Sequence, residues 1–407
     1  MSPRPAVPTS PASAASPLLP GSTLGVMGGG QLGRMFVHAA QAMGYFTVVL
    51  DPDPDSPAGR VSHHHVHADY EDGDGLARLS RLADAVTTEF ENVPAGALAS
   101  LAGDVPVAPA ADAVAIAQDR IREKAHFVRC SAEGGVGPAP YAVIETEDQL
   151  AAVGDELLPG ILKTARLGYD GKGQQTVHTR AELAAAWAAS GRVACVLEKR
   201  LPLAMECSVI VARGRDGQTV HFPPQRNLHR GGILAVTEVH EQNMPAAQAQ
   251  RAVSATKSIA EGLDYVGVLC VEFFVLEDGS LVVNEMAPRP HNSGHYTLDA
   301  CEQSQFELQV RTLAGLPLVV PRQHSPAIML NILGDLWFVQ GDGAQVEPPW
   351  DRVLALPGTH LHLYGKVEAR RGRKMGHLNI TGATVDQVRE VAAQAASLLG
   401  LADSSAC

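Results

Sequence analysis

Glu272 and Glu285 close the two ends of the run VEFFVLEDGSLVVNE, and they are the side chains in this protein best placed to do chemistry. The flanking segments are β-branched and apolar, and Asp278-Gly279 between them is a hairpin turn signal. With Glu277 opposite Ser280, that turn sets Leu276 against Leu281, Phe274 against Val283 and Glu272 against Glu285. Opposed residues of an antiparallel pair have Cβ atoms about 5 Å apart, and like charges there repel. Two carboxylates on otherwise apolar strands are accommodated by protonation or exposure, or by a divalent cation between them. Hard oxygen ligands without Cys or His favour Mg²⁺, with Mn²⁺ as an alternative, and such a cation commonly also touches substrate phosphates. Asn284 offers a third oxygen. Arg289, His291, Asn292 and His295 follow at once, a dense donor set for an anionic or polar substrate.

Other stretches must position and complete that set. Residues 22–53 read as strand, glycine loop, helix and strand, with Gly28, Gly30 and Gly33 in GxGxxG spacing and Asp51 ending the second strand. This has the form of a dinucleotide fingerprint, but many open α/β sheets begin the same way. His63, His64, His65 and His67 alternate between the faces of an extended segment and do not converge on a metal, so an exposed loop is expected. TTEFENVP puts Glu89 either at the carboxyl end of a parallel strand, where such sheets bind ligands, or at an acidic helix start. IAQDRIREKAHFVRC reads as one helix, with Arg120 and Lys124 a turn apart on a solvated charged face.

A second region begins near Cys130. Lys163 lies on a strand that leads into Gly168, Tyr169, Asp170, Gly171, Lys172, Gly173 and Gln174. This is a hairpin lid whose N–H groups and lysines suit a polyphosphate; it lacks the Walker A pattern and no helix follows at once. VACVLEKRLP ends in Glu198, Lys199, Arg200 and Leu201 and suits an edge segment offering its backbone to an adenine base. Farther on, Glu206 sits on an alternating strand, Asn227 and His229 are expected in a glycine-rich loop, and residues 246–263 form an amphipathic helix. Near the C-terminus Lys366, Arg370, Arg371, Arg373 and Lys374 crowd together in an acidic chain, which points to a phosphate monoester site.

Composition sets the outer limits. A chain of 407 residues suggests two or three domains, and a net charge of −12 argues against nucleic-acid or anionic-membrane partners. The 6 cysteines show no CxxC pairing and read as reduced thiols in a cytoplasmic protein. No apolar run approaches the roughly 20 residues of a membrane span. The Pro-, Ala- and Ser-rich start reads as a disordered leader.

Together, Lys163, GYDGKGQ, Glu198, Glu206, Glu272 and Asn284-Glu285 resemble the ATP-grasp superfamily. GGGQLGRM, EFENV, KTARLGYDGKGQ, NLH, NEMAPRPHNSGHY and GRKMGHLN, in that order, narrow the resemblance to the N5-carboxyaminoimidazole ribonucleotide synthetases. The resemblance implies an α/β and α+β ATP-grasp fold: a leader at 1–21, a Rossmann-like pre-ATP-grasp domain at 22–125, a lid domain at 126–202, a metal and catalytic domain at 203–320, and the C-terminal β-rich part of that catalytic domain at 321–400. It implies ATP- and bicarbonate-dependent carboxylation of 5-aminoimidazole ribonucleotide through carboxyphosphate, in purine biosynthesis. The family suggests a homodimer passing its product to a separate mutase. ATP contacts carry over to Arg120, Lys163, the loop Gly168 to Gln174, Glu198 to Leu201, Glu206, His229, Asn284 and Glu285. The metal falls on Glu272, Asn284 and Glu285. The ribonucleotide falls on Gly30, Gln31, Leu32, Glu89, Asn292, Ser293, Lys366 and Arg373. Lys163 and Arg289 serve the transferring group, and His291 or His295 a proton. Cys207, Arg226 and Arg371 depart from the family pattern. A formate-dependent glycinamide ribonucleotide transformylase and an NAD-binding oxidoreductase are the competing readings.

Overall fold

The computed structural model describes residues 16–132, 135–166, 168, 173–338 and 345–401. Tyr169, Asp170, Gly171 and Lys172 of the expected lid loop lie outside the described residues.

The N-terminal unit comprises β1 (Thr23–Met27), α1 (Gln31–Ala42), β2 (Phe46–Asp51), β3 (His64–His67), α2 (Gly73–Leu82) and β4 (Ala85–Thr88). Its strands run parallel in the order β3-β2-β1-β4. The central β1 and its neighbour β2 are near-continuous apolar runs because helices cover both faces. The histidine run is therefore the edge strand β3 and not a loop. Residues 16–21, counted with the leader on sequence, are held in place: Leu18 N–H donates to the Ala314 carbonyl at 2.8 Å and Tyr45 Oη donates to the Leu18 carbonyl at 2.7 Å.

After α3 (Ala95–Leu101) and α4 (Ala111–Ala117) comes α5 (Arg120–Ser131). The single helix expected here is two. Asp119 is extended at φ −132 and ψ 106, and its carboxylate accepts the N–H groups of Ile121 and Arg122, which starts a new helix. Phe127 of α5 packs with Val209, Ile259 and Leu269 of the following region, so the expected division after residue 125 falls inside a helix that belongs to that core.

The lid is built from β5 (Tyr141–Ile144), α6 (Glu147–Ala152), β6 (Gly160–Thr164), β7 (Gln174–Val177), α7 (Arg180–Ala189) and β8 (Cys195–Lys199). Strand order is β5-β8-β6-β7, so the strand carrying Glu198 is interior and not the edge expected from its Pro-terminated sequence.

The remaining strands are β9 (Leu203–Arg213), β10 (Thr219–His221), β11 (Gln225–Arg230), β12 (Ile233–Val239), β13 (Gly267–Leu276), β14 (Leu281–Ala287), β15 (Ala327–Leu333), β16 (Thr359–Leu363) and β17 (Lys374–Thr381). They form one sheet in the order β14-β13-β9-β11-β12-β15-β17-β16, with β10 beside β9. Asn227 and His229 are thus strand residues of β11, not loop residues: Asn227 is paired on both sides and His229 with β12. Four helices cover the sheet: α8 (Ala246–Gly262), α9 (Thr297–Ala300), α10 (Gln305–Ala314) and α12 (Val385–Leu399), while α11 (Trp350–Leu354) lies at its far end. Phe306, Val310 and Leu313 of α10 share a core with Phe36 and Val37 of α1, which fixes the N-terminal unit against the large sheet.

The hairpin β13–β14 differs from the expected register in an instructive way. Its loop is one residue longer. Gly279, at φ +80, donates to the Leu276 carbonyl, and Leu276 N–H donates to Ser280. Val275 therefore faces Leu281, and Phe273, not Phe274, faces Val283. A β-bulge between Glu272 and Phe273 then shifts the register back, so that Glu272 does face Glu285. The extra residue on β14 is Asn284. A bulge interrupts the alternation of faces, and Asn284 and Glu285 both look into one cavity.

Candidate active site

Two cavities meet in the middle of the molecule. The larger, about 890 Å³, lies between the lid and the large sheet. It is lined by Arg120, Lys163, Gly168, Gln174, Glu198 to Leu201, Glu206, His229, Glu272, Asn284 and Glu285, the residues expected to hold ATP and metal. The smaller, about 410 Å³, lies between the glycine loop and the C-terminal strands. It is lined by Gly30, Gln31, Leu32, Glu89, Lys366 and Arg373, which were expected to hold the ribonucleotide, and by His295, expected to serve a proton. Glu91, Arg289, His291, Asn292 and Lys374 line both cavities and form their common wall.

The carboxylate pair behaves as two unlike groups. Burial, and then Glu285, raise Glu272 to about 7. Burial opposes the charge of Glu285 as well, but Arg120 and Lys163 outweigh it and hold its pKa below the ordinary range. Arg120 Nη1 reaches Glu285 Oε2 at 3.1 Å, and Nη2 donates to the Gly168 carbonyl at 3.2 Å. Asn284 Oδ1 is buried beside the pair with no hydrogen-bond partner. Buried acceptors normally find a donor, so this oxygen is available to a cation. Among the described residues no three His, Cys, Asp or Glu side chains converge as a metal site. The donor set is thus two carboxylates and an amide, hard ligands that fit Mg²⁺ and leave its other positions for phosphate oxygens.

Next to the pair, Lys163 Nζ lies 3.1 Å from Glu198 Oε1. Glu206 is ion-paired with His229. Burial works against the His229 cation, but Glu206 and Glu272 more than offset it and raise its pKa.

At the common wall Arg289 is ion-paired with Glu91, and its Nη1 donates to the Pro290 carbonyl at 3.0 Å. Burial opposes the guanidinium charge, yet Glu91 holds it firmly protonated. Both side chains of this pair are largely buried, a setting in which losing either partner is costly. Asn292 keeps both amide atoms buried and unpartnered. Burial, then neighbouring positive or imidazole groups, push His291 and His295 well below 6.5. His291 Nδ1 accepts from Ser293 N–H at 3.3 Å, and its Nε2 stands 3.1 Å from Glu272. Gln305 accepts from His291 N–H and donates to its carbonyl, which orients its amide to donate to His295 Nδ1 at 3.1 Å. Each ring therefore carries its proton on Nε2. As bonded here, the Nδ1 lone pair of each ring is engaged, so the proton role expected for one of them would be that of an Nε2–H donor and not of a base.

The glycine loop explains why GxGxxG misled. Glu89 Oε1 accepts from Gly30 N–H and Oε2 from Gly33 N–H, both at 2.9 Å. Asp51 takes Gly29 N–H at 2.6 Å. The N–H groups that would cradle a pyrophosphate are held by the chain's own carboxylates. A Cβ on Gly30 would stand 2.4 Å from Glu89 Oε1, so glycine is needed here to admit Glu89.

Some expectations fail. Ser293 is fully buried and lines neither cavity; its Oγ lies 2.8 Å from Ser208 and 2.9 Å from His291 Nδ1, so it orients His291. Arg370 and Arg371 point away, to Glu368 and Asp335. Four residues were missed. Glu91 was overshadowed by Glu89, although it stands two places on in the same run. Tyr70 lines the smaller cavity and donates to Asp51 at 2.7 Å, with no local sequence signal. Glu123 and Lys124, assigned to a solvated face, are buried; their spacing from Arg120 on one helix was the available clue.

Three family models match the chain: a ribonucleotide synthetase preATP-grasp domain at residues 22–118, an ATP-grasp domain at 130–306, and a phosphoribosylaminoimidazole carboxylase C-terminal domain at 327–391. The N5-carboxyaminoimidazole ribonucleotide synthase of Brucella melitensis is 44% identical over 368 residues, 89% of this chain and 96% of that protein. That of Bacillus subtilis is 39% identical over 371 residues, 91% and 94% respectively. A crystal structure of an N5-carboxyaminoimidazole ribonucleotide synthetase in complex with ADP superposes with TM-score 0.86 at 38% identity, covering 95% of this chain and 98% of that one. A synthase from Aspergillus clavatus with ADP and 5-aminoimidazole ribonucleotide gives 0.82 at 30%, covering 93% and 99%.

Proposed function

Because this chain belongs to the N5-carboxyaminoimidazole ribonucleotide synthase family of ATP-grasp ligases, we propose that its larger cavity takes ATP, its smaller cavity takes 5-aminoimidazole ribonucleotide, and bicarbonate is activated at the wall between them. The observation that carries this reading is the shared wall of Glu91, Arg289, His291, Asn292 and Lys374. An unstable intermediate made in one cavity reaches the other without crossing bulk water.

Bicarbonate carbon is a poor electrophile because its charge is delocalised. Attack of its oxygen in line on the γ-phosphorus gives carboxyphosphate and ADP, a step that depends on positioning and charge neutralisation. Lys163 and Arg120 supply positive charge on the nucleotide side. Glu272, Asn284 and Glu285 would hold Mg²⁺, which when bound neutralises the phosphate oxygens. Arg289, fixed by Glu91, faces the carboxyphosphate oxyanions, and Asn292 and the Nε2–H of His295 are polar groups for the acceptor. The exocyclic amine then attacks the carboxy carbon, a C–N bond forms and phosphate leaves; we assign the amine proton to that departing phosphate. Lys366 and Arg373 suit the ribonucleotide phosphate.

We further propose a cytosolic homodimer whose product goes to a separate mutase; among the described residues no helix is long and apolar enough to cross a membrane. Occupation of the glycine loop by Glu89 and Asp51 disfavours the NAD reading.

ADP release with ATP, Mg²⁺ and bicarbonate, with and without the ribonucleotide, tests the assignment. Ribonucleotide-stimulated release is expected; its absence, or equal release when formate and glycinamide ribonucleotide replace bicarbonate and the aminoimidazole, refutes it. Glu285→Ala should abolish turnover while circular dichroism stays that of the parent.

A further inference from the structure

β14 is the outer strand of the large sheet, so one side of its backbone needs partners other than a strand. The groups flanking Glu285 on that side are the Asn284 carbonyl and the Met286 N–H. Both are taken by consecutive side chains of α5: Lys124 Nζ donates to the Asn284 carbonyl at 2.8 Å, and Met286 N–H donates to Glu123 Oε1 at 2.8 Å. The two side chains stand in for a neighbouring strand at the bulge. Lys124 is fully buried and lines neither cavity, and its Nζ also stands 3.3 Å from Glu198 Oε1.

A buried lysine on a backbone carbonyl is a costly way to pack a helix, since a leucine would do that without desolvating a charge. What this lysine adds is direction. On the outer side of β14 the described residues give one backbone bond, from Val283 N–H to the Gly137 carbonyl at 2.9 Å, and no continuous ladder to fix where the side chains after the bulge aim. We infer that Lys124, with Glu123, is a positioning residue pair that sets Asn284 and Glu285 for the metal–nucleotide complex. This rests on the reading of Glu272, Asn284 and Glu285 as the metal strand. Lys124 also joins that strand to Glu198 of the lid, so the two walls of the nucleotide cavity share one ammonium group.

The test is ADP affinity by calorimetry with and without Mg²⁺, in the full-length protein. In Lys124→Met the affinity in Mg²⁺ should fall by about 10- to 100-fold, the usual range for residues that orient metal ligands, while affinity without Mg²⁺ changes little. Lys124→Arg should recover part of the loss. Equal losses with and without Mg²⁺, or none, would overturn the inference and leave Lys124 a packing residue. If Lys124→Met does not fold, Glu123→Leu against Glu123→Gln carries the same comparison, because only the amide keeps an acceptor for Met286 N–H. Glu285→Ala separates the two levels of the argument. If it leaves the Mg²⁺ effect on ADP intact, the metal strand itself is misassigned; if it removes the effect while Lys124→Met does not, only the positioning role fails.

Discussion

Lys366 is a residue of the smaller cavity whose charge answers to ordinary changes of pH. Burial, and then Arg373, bring its pKa down from 10.5 to about 8. In the free enzyme it is a cation below that pH and neutral above it. If it holds the ribonucleotide phosphate, kcat/KM for that substrate should fall as pH rises through about 8, since this parameter reports groups of the free enzyme. Lys366→Gln should lower the plateau and flatten the limb; an unchanged limb would place the ionisation elsewhere. The stability sign is separate. The folded chain gives up this proton earlier than the unfolded one, so burial of Lys366 costs stability below pH 8, and that cost fades toward 10.5. Charged types in suggestive spacing made Lys163, Glu285 and Lys366 legible from sequence. Lys124 was not, because a lysine on an amphipathic helix is ordinarily solvated and only the fold shows which face meets a strand edge.

The hairpin and the glycine helix show what elements add to single residues. The opposition of Glu272 and Glu285 was foreseen from a two-residue turn. It arises instead from a longer loop and a compensating bulge. The outcome was legible and the route was not, because Asp-Gly serves both loops, and a bulge has no signature in a run as uniform as LVVNE. Placing Asn284 beside Glu285 needs that bulge, since strict alternation would send adjacent side chains to opposite faces. In α1, Gly33 has its own constraint: an added Cβ would stand 2.6 Å from the Gly28 carbonyl oxygen, a backbone atom that cannot turn aside. Gly33→Ala should therefore destabilise the protein by about 1–3 kcal/mol, as overpacking does. Chemical denaturation measures this, and a change within a few tenths of a kcal/mol would show that α1 can slide.

Across the whole molecule, two sheets converge on one wall. Glu91 follows the N-terminal sheet, while Arg289 and Lys374 come from opposite ends of the large sheet, beyond β14 and at the start of β17. Arg289→Lys keeps the charge but not the planar, multidentate geometry. It should leave ADP affinity near that of the parent yet reduce ribonucleotide-stimulated ADP release by 1–2 orders of magnitude, roughly the cost of one lost transition-state donor. Parallel loss of ADP affinity would instead put Arg289 in the nucleotide site. Motif order along the chain was enough to anticipate the lid and most of the residues that line the two cavities. It could not show that β15 to β17 extend the sheet that carries Glu272, because strand adjacency over long sequence separations leaves no local pattern.

The carboxylate of Glu89, seated on the first turn of α1, is in effect a tethered anion. A helix start of this kind ordinarily waits for a phosphate from solution; here the counter-charge is covalently part of the protein and its effective concentration never falls. The ancestral-looking nucleotide cradle is thereby self-quenched. A dinucleotide's pyrophosphate would meet N–H groups already taken by Glu89 and Asp51.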